Sequence, residues 1–159
     1  MTMTKKKNIL SFLKDILFVL FILFAINKFT FRYEVVGQSM EPTLHDGNIG
    51  FALRTDFINL SPKRFDIVTI SIDDRYLVKR IIGLPGEKIE YFDNRLYING
   101  TYFPEKFLRE SVTTENLEIT LADDEYFCLG DNRNHSKDSR TYGPFKIDSI
   151  KAILFQKEK

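Results

Sequence analysis

The sequence predicts a mainly β fold: an antiparallel β-sheet domain preceded by one N-terminal transmembrane helix. Three observations carry that expectation. Behind Lys5, Lys6 and Lys7 runs a largely apolar stretch from Ile9 to Phe31, uninterrupted from Ile16 to Ile26. Beyond Phe31 the hydrophobic period changes from helical to alternating. Glycine, proline and asparagine then divide the chain into short runs rich in β-branched and aromatic residues.

The apolar centre, Ile16 to Ile26, covers about 16 Å as a helix, half of a hydrocarbon core roughly 30 Å thick. A full span must therefore enlist Leu10, Phe12, Leu13, Phe29 and Phe31. Lys14, Asp15 and Lys28 then fall near the interfaces, where lysine stems reach water, and the basic cluster sets the N-terminus in the cytoplasm. Two other readings compete, a cleaved signal peptide and a buried helix of a soluble domain. Asn27-Lys28-Phe29 stands where a cleaved leader would carry a small-x-small site. The expected division is a basic cytoplasmic terminus at 1–8, an anchor at 9–31 and an extracytoplasmic β domain at 32–159.

Strands are expected at Tyr33 to Val36, Ile49 to Leu53, Asp66 to Ile72, Tyr76 to Ile82, Lys88 to Phe92, Arg95 to Ile98 and Tyr126 to Leu129. Asp93-Asn94 and Asn99-Gly100 are two-residue turn signals on either side of one run, which predicts a small meander. Residues 103–123 are polar and weakly periodic, and read as a surface excursion. The 159 residues suit one catalytic unit behind an anchor. Lysine plus arginine (23) and aspartate plus glutamate (22) nearly cancel, which argues against nucleic-acid binding. The single cysteine, Cys128, has no disulfide partner in the chain and sits in an apolar run, the setting of a core residue. With two histidines and no paired cysteines, no metal-ligand spacing appears and no cofactor is implied.

Ser39 leaves a strand behind Gly37 and shortly before Pro42, at a place where a nucleophile can be exposed, although turn chemistry alone accounts for such a serine. A serine hydroxyl needs a base, and Lys79 is a candidate because strand alternation sets Leu77 and Ile81 on its face. Burial there would lower the amine's pKa and leave it neutral, whereas Arg80, pointing the other way, keeps its charge. The competing reading makes Lys79 a solvated residue on an edge strand. A triad of Ser39, His135 and an aspartate is also conceivable, but Ser39 lies in G-x-S-x-x-P and not in the G-x-S-x-G elbow. The His45-Asp46-Gly47 turn reads as surface structure.

Three segments together resemble the type I signal peptidases, membrane-bound Ser/Lys proteases: Gly37 to Leu44, Arg75 to Glu87, and Gly130 to Arg140. The resemblance runs from the anchor to about Gly143. It implies that Ser39 is the nucleophile and Lys79 the general base, that Ser136 orients the Lys79 amine, and that Asp131 pairs with Arg80 and Asp138 with Arg140. Some family members carry a serine two positions before the nucleophile to assist the oxyanion. Gly37 stands there in this chain, as it does in Gram-positive members, which leaves the Ser39 backbone N–H and an unassigned second donor. The implied substrates are preprotein signal peptides cut after small residues of Ala-x-Ala type, bound extended, with Val35, Val36, Leu77 and Val78 as candidate pocket walls. The implied partners are these peptides and the lipid bilayer, with the secretion translocon left open. Rival readings are a specialised relative processing pilins or conjugation proteins, a self-cleaving repressor-type Ser/Lys peptidase, and a non-catalytic relative acting in surface assembly.

Overall fold

A computed structural model of the chain describes residues 3–56, 61–108 and 113–155, with side chains described from residue 11 onward. The Lys5 to Lys7 side chains, Ile9 and Leu10 lie outside that set, as do residues 109–112 of the expected excursion. Helix α1 (Met3–Phe29) is about 40 Å long at 1.5 Å per residue. Residues 16–24 are all exposed, so α1 is no core element of a soluble domain. Among the described residues no helix is long and apolar enough to cross a membrane. The helix also stops short of the expected boundary: Thr30 and Phe31 open strand β1 (Thr30–Glu34), because their backbones pair with Leu53 and Ala52.

The body is antiparallel β, as expected. A seven-stranded sheet runs in the order β1-β2-β11-β3-β4-β9-β10, with β2 (Ile49–Arg54), β3 (Ile67–Ile72), β4 (Arg75–Gly83), β9 (Glu125–Leu129), β10 (Phe145–Lys146) and β11 (Ile150–Leu154). A four-stranded sheet runs β7-β6-β5-β8, from β5 (Lys88–Phe92), β6 (Arg95–Ile98), β7 (Thr101–Phe103) and β8 (Leu117–Thr120). Asp93-Asn94 and Asn99-Gly100 form the meander's turns, with positive φ at all four residues. Asp73-Asp74 closes the β3–β4 hairpin in the same way.

Two differences from the sequence reading have plain causes. The excursion at 103–123 contains β8, whose Leu117 and Ile119 turn inward against β5 while Glu118 and Thr120 face out, a two-residue period too short to stand out of its polar surroundings. Strand β11 was not expected, yet it lies between β2 and β3 and buries Ile150, Ala152 and Leu154. Its partners are far away in sequence, and its own composition is diluted by Lys151.

Apolar side chains gather in three clusters. One joins the small sheet to the ends of β4 and β9 through Ile82, Ile89, Tyr91, Leu96, Phe127 and Leu129. The second covers one face of the large sheet with Val68, Ile70, Ile81 and Cys128. The third, Met40, Ala52, Ile67, Ala152 and Leu154, fills the β1–β2 end. The candidate site lies where β1 runs out, beside the middle of β4.

Candidate active site

Past β1 the chain turns sharply at Gly37, where φ is 84°. Its N–H donates to Asp46 Oδ1 at 2.7 Å, and Gly47 N–H returns to Val35 O at 2.8 Å, so residues 35–48 form a stitched loop. Met40 is wholly buried in the third cluster and pins the loop to the core. Ser39 is thereby held between an exposed Gln38 and a buried Met40.

Strand β4 supplies the partner. Lys79 Nζ and Ser39 Oγ are hydrogen-bonded at 2.8 Å, and Nζ also donates to Val78 O at 2.8 Å. The side chain is 3% exposed. Val68 faces it across β3, and Leu77 and Ile81 flank it on the same strand face. Burial lowers the amine from the ordinary 10.5 to about 8, against the opposing pull of the Asp138 and Asp131 carboxylates. The expectation of an apolar, desolvated lysine therefore holds, and the edge-strand reading fails because β3 and β9 flank β4 on both sides.

Register explains how the serine gets so close. Arg80 pairs with Leu129, so the next residue on that side, Gly130, comes alongside Lys79. A side chain there would lie over the dyad: a Cβ built on Gly130 falls 2.3 Å from Ser136 Oγ and 2.4 Å from Ser39 O. The absent side chain is the space the Ser39 loop occupies.

Two ion pairs, each with a buried carboxylate, frame the centre. Arg80, 4% exposed, donates from Nε to Asp131 Oδ1 at 2.8 Å and from Nη2 to Asp131 Oδ2 at 2.7 Å; Nη1 reaches Phe65 O at 2.8 Å. Thr43 Oγ1 donates to the same Asp131 carboxylate, which ties the Ser39 loop to β4. Asp138 accepts from Arg140 Nε and Nη2, both at 2.9 Å, from Gly130 N–H at 3.0 Å, and from Arg140 N–H as the N-cap of the short helix α2 (Ser139–Tyr142). Burial pushes the Asp138 carboxyl up, but Arg140 and the Gly130 N–H outweigh it and hold the group below the ordinary carboxylate range. Both expected pairings are present.

Ser136 Oγ is buried beside Gly130, close to the Asp138 carboxyl that it helps to hold low, and it makes no hydrogen bond to Lys79. The four pocket residues do not share one surface: Val35 is 3% exposed and Val36 85%, while Leu77 packs on the second cluster and Val78 on the third. His135 is exposed and lies 3.3 Å from Asn132 Oδ1, and the partner of Ser39 is Lys79, so the histidine triad is not formed. Cys128 is fully buried, which raises its thiol pKa and leaves it inert. Among the described residues no group of side chains could hold a metal ion.

The sequence reading missed Asn132 and Thr43. Asn132 donates its N–H to Ser39 O at 3.0 Å and Nδ2 to Gln38 O at 3.1 Å, clamping two successive carbonyls of the Ser39 loop. Both residues lie inside the quoted motifs, but neither has a side chain that by itself suggests chemistry. The Ser39 N–H makes no hydrogen bond among the described residues and is free to donate, whereas the Gly37 N–H is committed to Asp46.

An antiparallel β scaffold that brings a serine hydroxyl onto a desolvated lysine amine defines a class: serine hydrolases with a lysine as base. The comparisons with known proteins give the particular family. Residues 9–155 match the family described as signal peptidase, peptidase S26. The chain is 37% identical over 149 residues to signal peptidase I P of Bacillus subtilis subsp. natto, covering 86% of this chain and 80% of that protein. It is 32% identical over 166 residues to signal peptidase IB of Staphylococcus aureus, covering 91% of this chain and 86% of the relative. A crystal structure of a signal peptidase I from Enterococcus faecalis superposes with a TM-score of 0.55 at 34% identity, over 60% of this chain and 98% of that one. The chain belongs to the signal peptidase family.

Proposed function

We propose that the chain is a membrane-tethered endopeptidase that removes signal peptides from exported preproteins after small residues of Ala-x-Ala type, with Ser39 as nucleophile and Lys79 as general base. The observation that carries this reading is the 2.8 Å contact between Ser39 Oγ and a buried amine that titrates near 8. The neutral amine accepts the hydroxyl proton as Oγ attacks the scissile carbonyl. The tetrahedral oxyanion takes the free Ser39 N–H, a donor worth roughly 3 kcal/mol in proteases. The lysine ammonium then protonates the leaving amine, and water, activated by the same amine, hydrolyses the acyl-enzyme. Ser136 remains the candidate to orient the Lys79 amine when substrate arrives, since its Oγ is buried against Gly130, which lies alongside Lys79.

Helix α1 is proposed as the tether, with the N-terminus cytoplasmic and the domain from residue 32 outside. In support, its apolar side chains are exposed on every face and the basic cluster lies in its first turns, ahead of the apolar stretch. The preprotein is anchored in the same bilayer, which raises the effective concentration of cleavage site and dyad. The dyad contact counts against the non-catalytic surface-assembly reading. The test is cleavage of an Ala-x-Ala preprotein in membranes by the wild type, Ser39→Ala and Lys79→Ala. Loss of cleavage in both variants, with folding unchanged, is expected; full activity in either overturns the assignment.

A further inference from the structure

Arg133 sits in the loop after β9, 2% exposed, and is bonded on every side. Nε donates to Gly130 O at 3.0 Å, and Nη1 donates to Tyr91 OH at 2.9 Å and to Thr114 Oγ1 at 3.0 Å. Nη2 pairs with Glu105, and Tyr91 OH donates to Glu105 Oε1 at 2.8 Å. The Arg133 carbonyl accepts from Arg140 Nη2 at 2.7 Å. Tyr91 belongs to the small sheet, and Glu105 and Thr114 lie in the connection between β7 and β8. None of these three residues touches the dyad.

A buried ion pair stabilises a fold little better than packed apolar side chains of the same volume. An apolar side chain, however, has no donor for the Gly130 carbonyl. Gly130 is held on both sides, its N–H by Asp138 and its carbonyl oxygen by Arg133. Its Cα lies against Ser39 O and Ser136 Oγ, and two residues on Asn132 grips the Ser39 and Gln38 carbonyls. Any rotation of the Gly130–Asn132 segment therefore moves the nucleophile relative to Lys79.

We infer that Arg133 is a positioning residue for the dyad: Glu105, Tyr91 and Thr114 fix its guanidinium, which fixes Gly130 to Asn132 and so the Ser39 Oγ to Lys79 Nζ separation. The small sheet and its long connection are thereby part of the catalytic apparatus, although they contribute no reacting group. The inference rests on the dyad reading above.

The test uses the full chain in membranes with a preprotein substrate and the variants Glu105→Gln and Thr114→Val. The first removes the charge that orients the guanidinium; the second removes one neutral acceptor and is the milder change if the first fails to fold. A displacement of about 1 Å in a reacting pair can cost about 100-fold in rate. Expected for Glu105→Gln is a kcat loss of about 10- to 100-fold with KM nearly unchanged and a displaced pH profile, and for Thr114→Val a smaller loss of the same kind. If both variants, assayed well below their melting temperatures, keep wild-type kcat and a superimposable pH profile, the role is structural only and the inference falls. Ser39→Ala run alongside separates the two claims: if it still cleaves, the dyad reading fails; if it is inactive while both variants match the wild type, only the positioning role fails.

Discussion

The proton on Lys79 sets the rate of the proposed reaction, so pH is the sharpest perturbation. A lysine in water, titrating near 10.4, leaves about 1 amine in 2,500 neutral at pH 7. With the group near 8 the neutral share at pH 7 is about one in ten, a gain of roughly 200-fold from burial alone. The expected profile of kcat/KM on a preprotein is a slope of one, about tenfold per pH unit, from pH 5 to 7.5, bending to a plateau above about 8. Lys79→Arg places a cation in the same position that cannot give up its proton, and should be inactive at every pH. The measurement is initial cleavage rate against pH for the wild type, His135→Ala and Lys79→Arg, with circular dichroism confirming that each remains folded. A bend between 6 and 7 that disappears in His135→Ala, or a rate still climbing at pH 10, would refute the argument that a desolvated lysine is the base.

Gly130→Ala would place a methyl group against Ser39 O and Ser136 Oγ; an overpacking cost of about 1–3 kcal/mol and a large loss of kcat are expected, read by thermal unfolding and cleavage assay. Asp131→Ala leaves Arg80 buried and unpaired, and should destabilise the domain by about 3–5 kcal/mol in urea titration. Gly37→Ser would find open space for its side chain but must adopt φ near 84°, so a loss of about 1–2 kcal/mol with no gain in kcat is expected. Lys79→Met should raise stability while abolishing cleavage. The folded chain binds the Lys79 proton less tightly than the unfolded one, so wild-type stability climbs between pH 8 and 10.5, and below 8 the full cost of about 3 kcal/mol is present. At pH 7 the methionine variant should melt higher than the wild type, and the gap should close toward pH 10.5.

Local periodicity and turn chemistry made most of the fold legible. The β5–β6 meander is written in Asp93-Asn94 and Asn99-Gly100, whose side chains tolerate positive φ, and both strands fall where the alternation sets them. Strand β11 was illegible because its place is decided by partners roughly 80 to 100 residues earlier in the chain, Val68 and Leu53, and a five-residue run carries no mark of them. In the site, Lys79 could be found because alternation sets it between Leu77 and Ile81, a prediction of burial that needs only the strand itself. Asp131 and Asp138 had visible cationic partners one motif or two residues away. Val35 and Val36 are neighbours just past β1 and face opposite ways, one into the core and the other to solvent, a difference that adjacency on an extended backbone brings with it.

Glu105 shows the limit most clearly. It sits among polar residues in a segment with no motif, and nothing within ten positions of it suggests a function. Its meaning comes only from Arg133, on the far side of β8 and β9 in the chain, and from Tyr91, which lends it a hydroxyl. The dyad needs the Ser39 and Lys79 atoms held to a fraction of an ångström, yet the loop carrying Ser39 is stitched to its own strand end and otherwise secured by Met40, Thr43 and Asn132. Of these, only Asn132 acts on the Ser39 carbonyl directly, and it is the residue immediately before Arg133. A chain that places a fully buried guanidinium one residue from that clamp, and draws its counter-charge from a separate sheet's connection, has coupled the stiffness of the second sheet to the chemistry of the first.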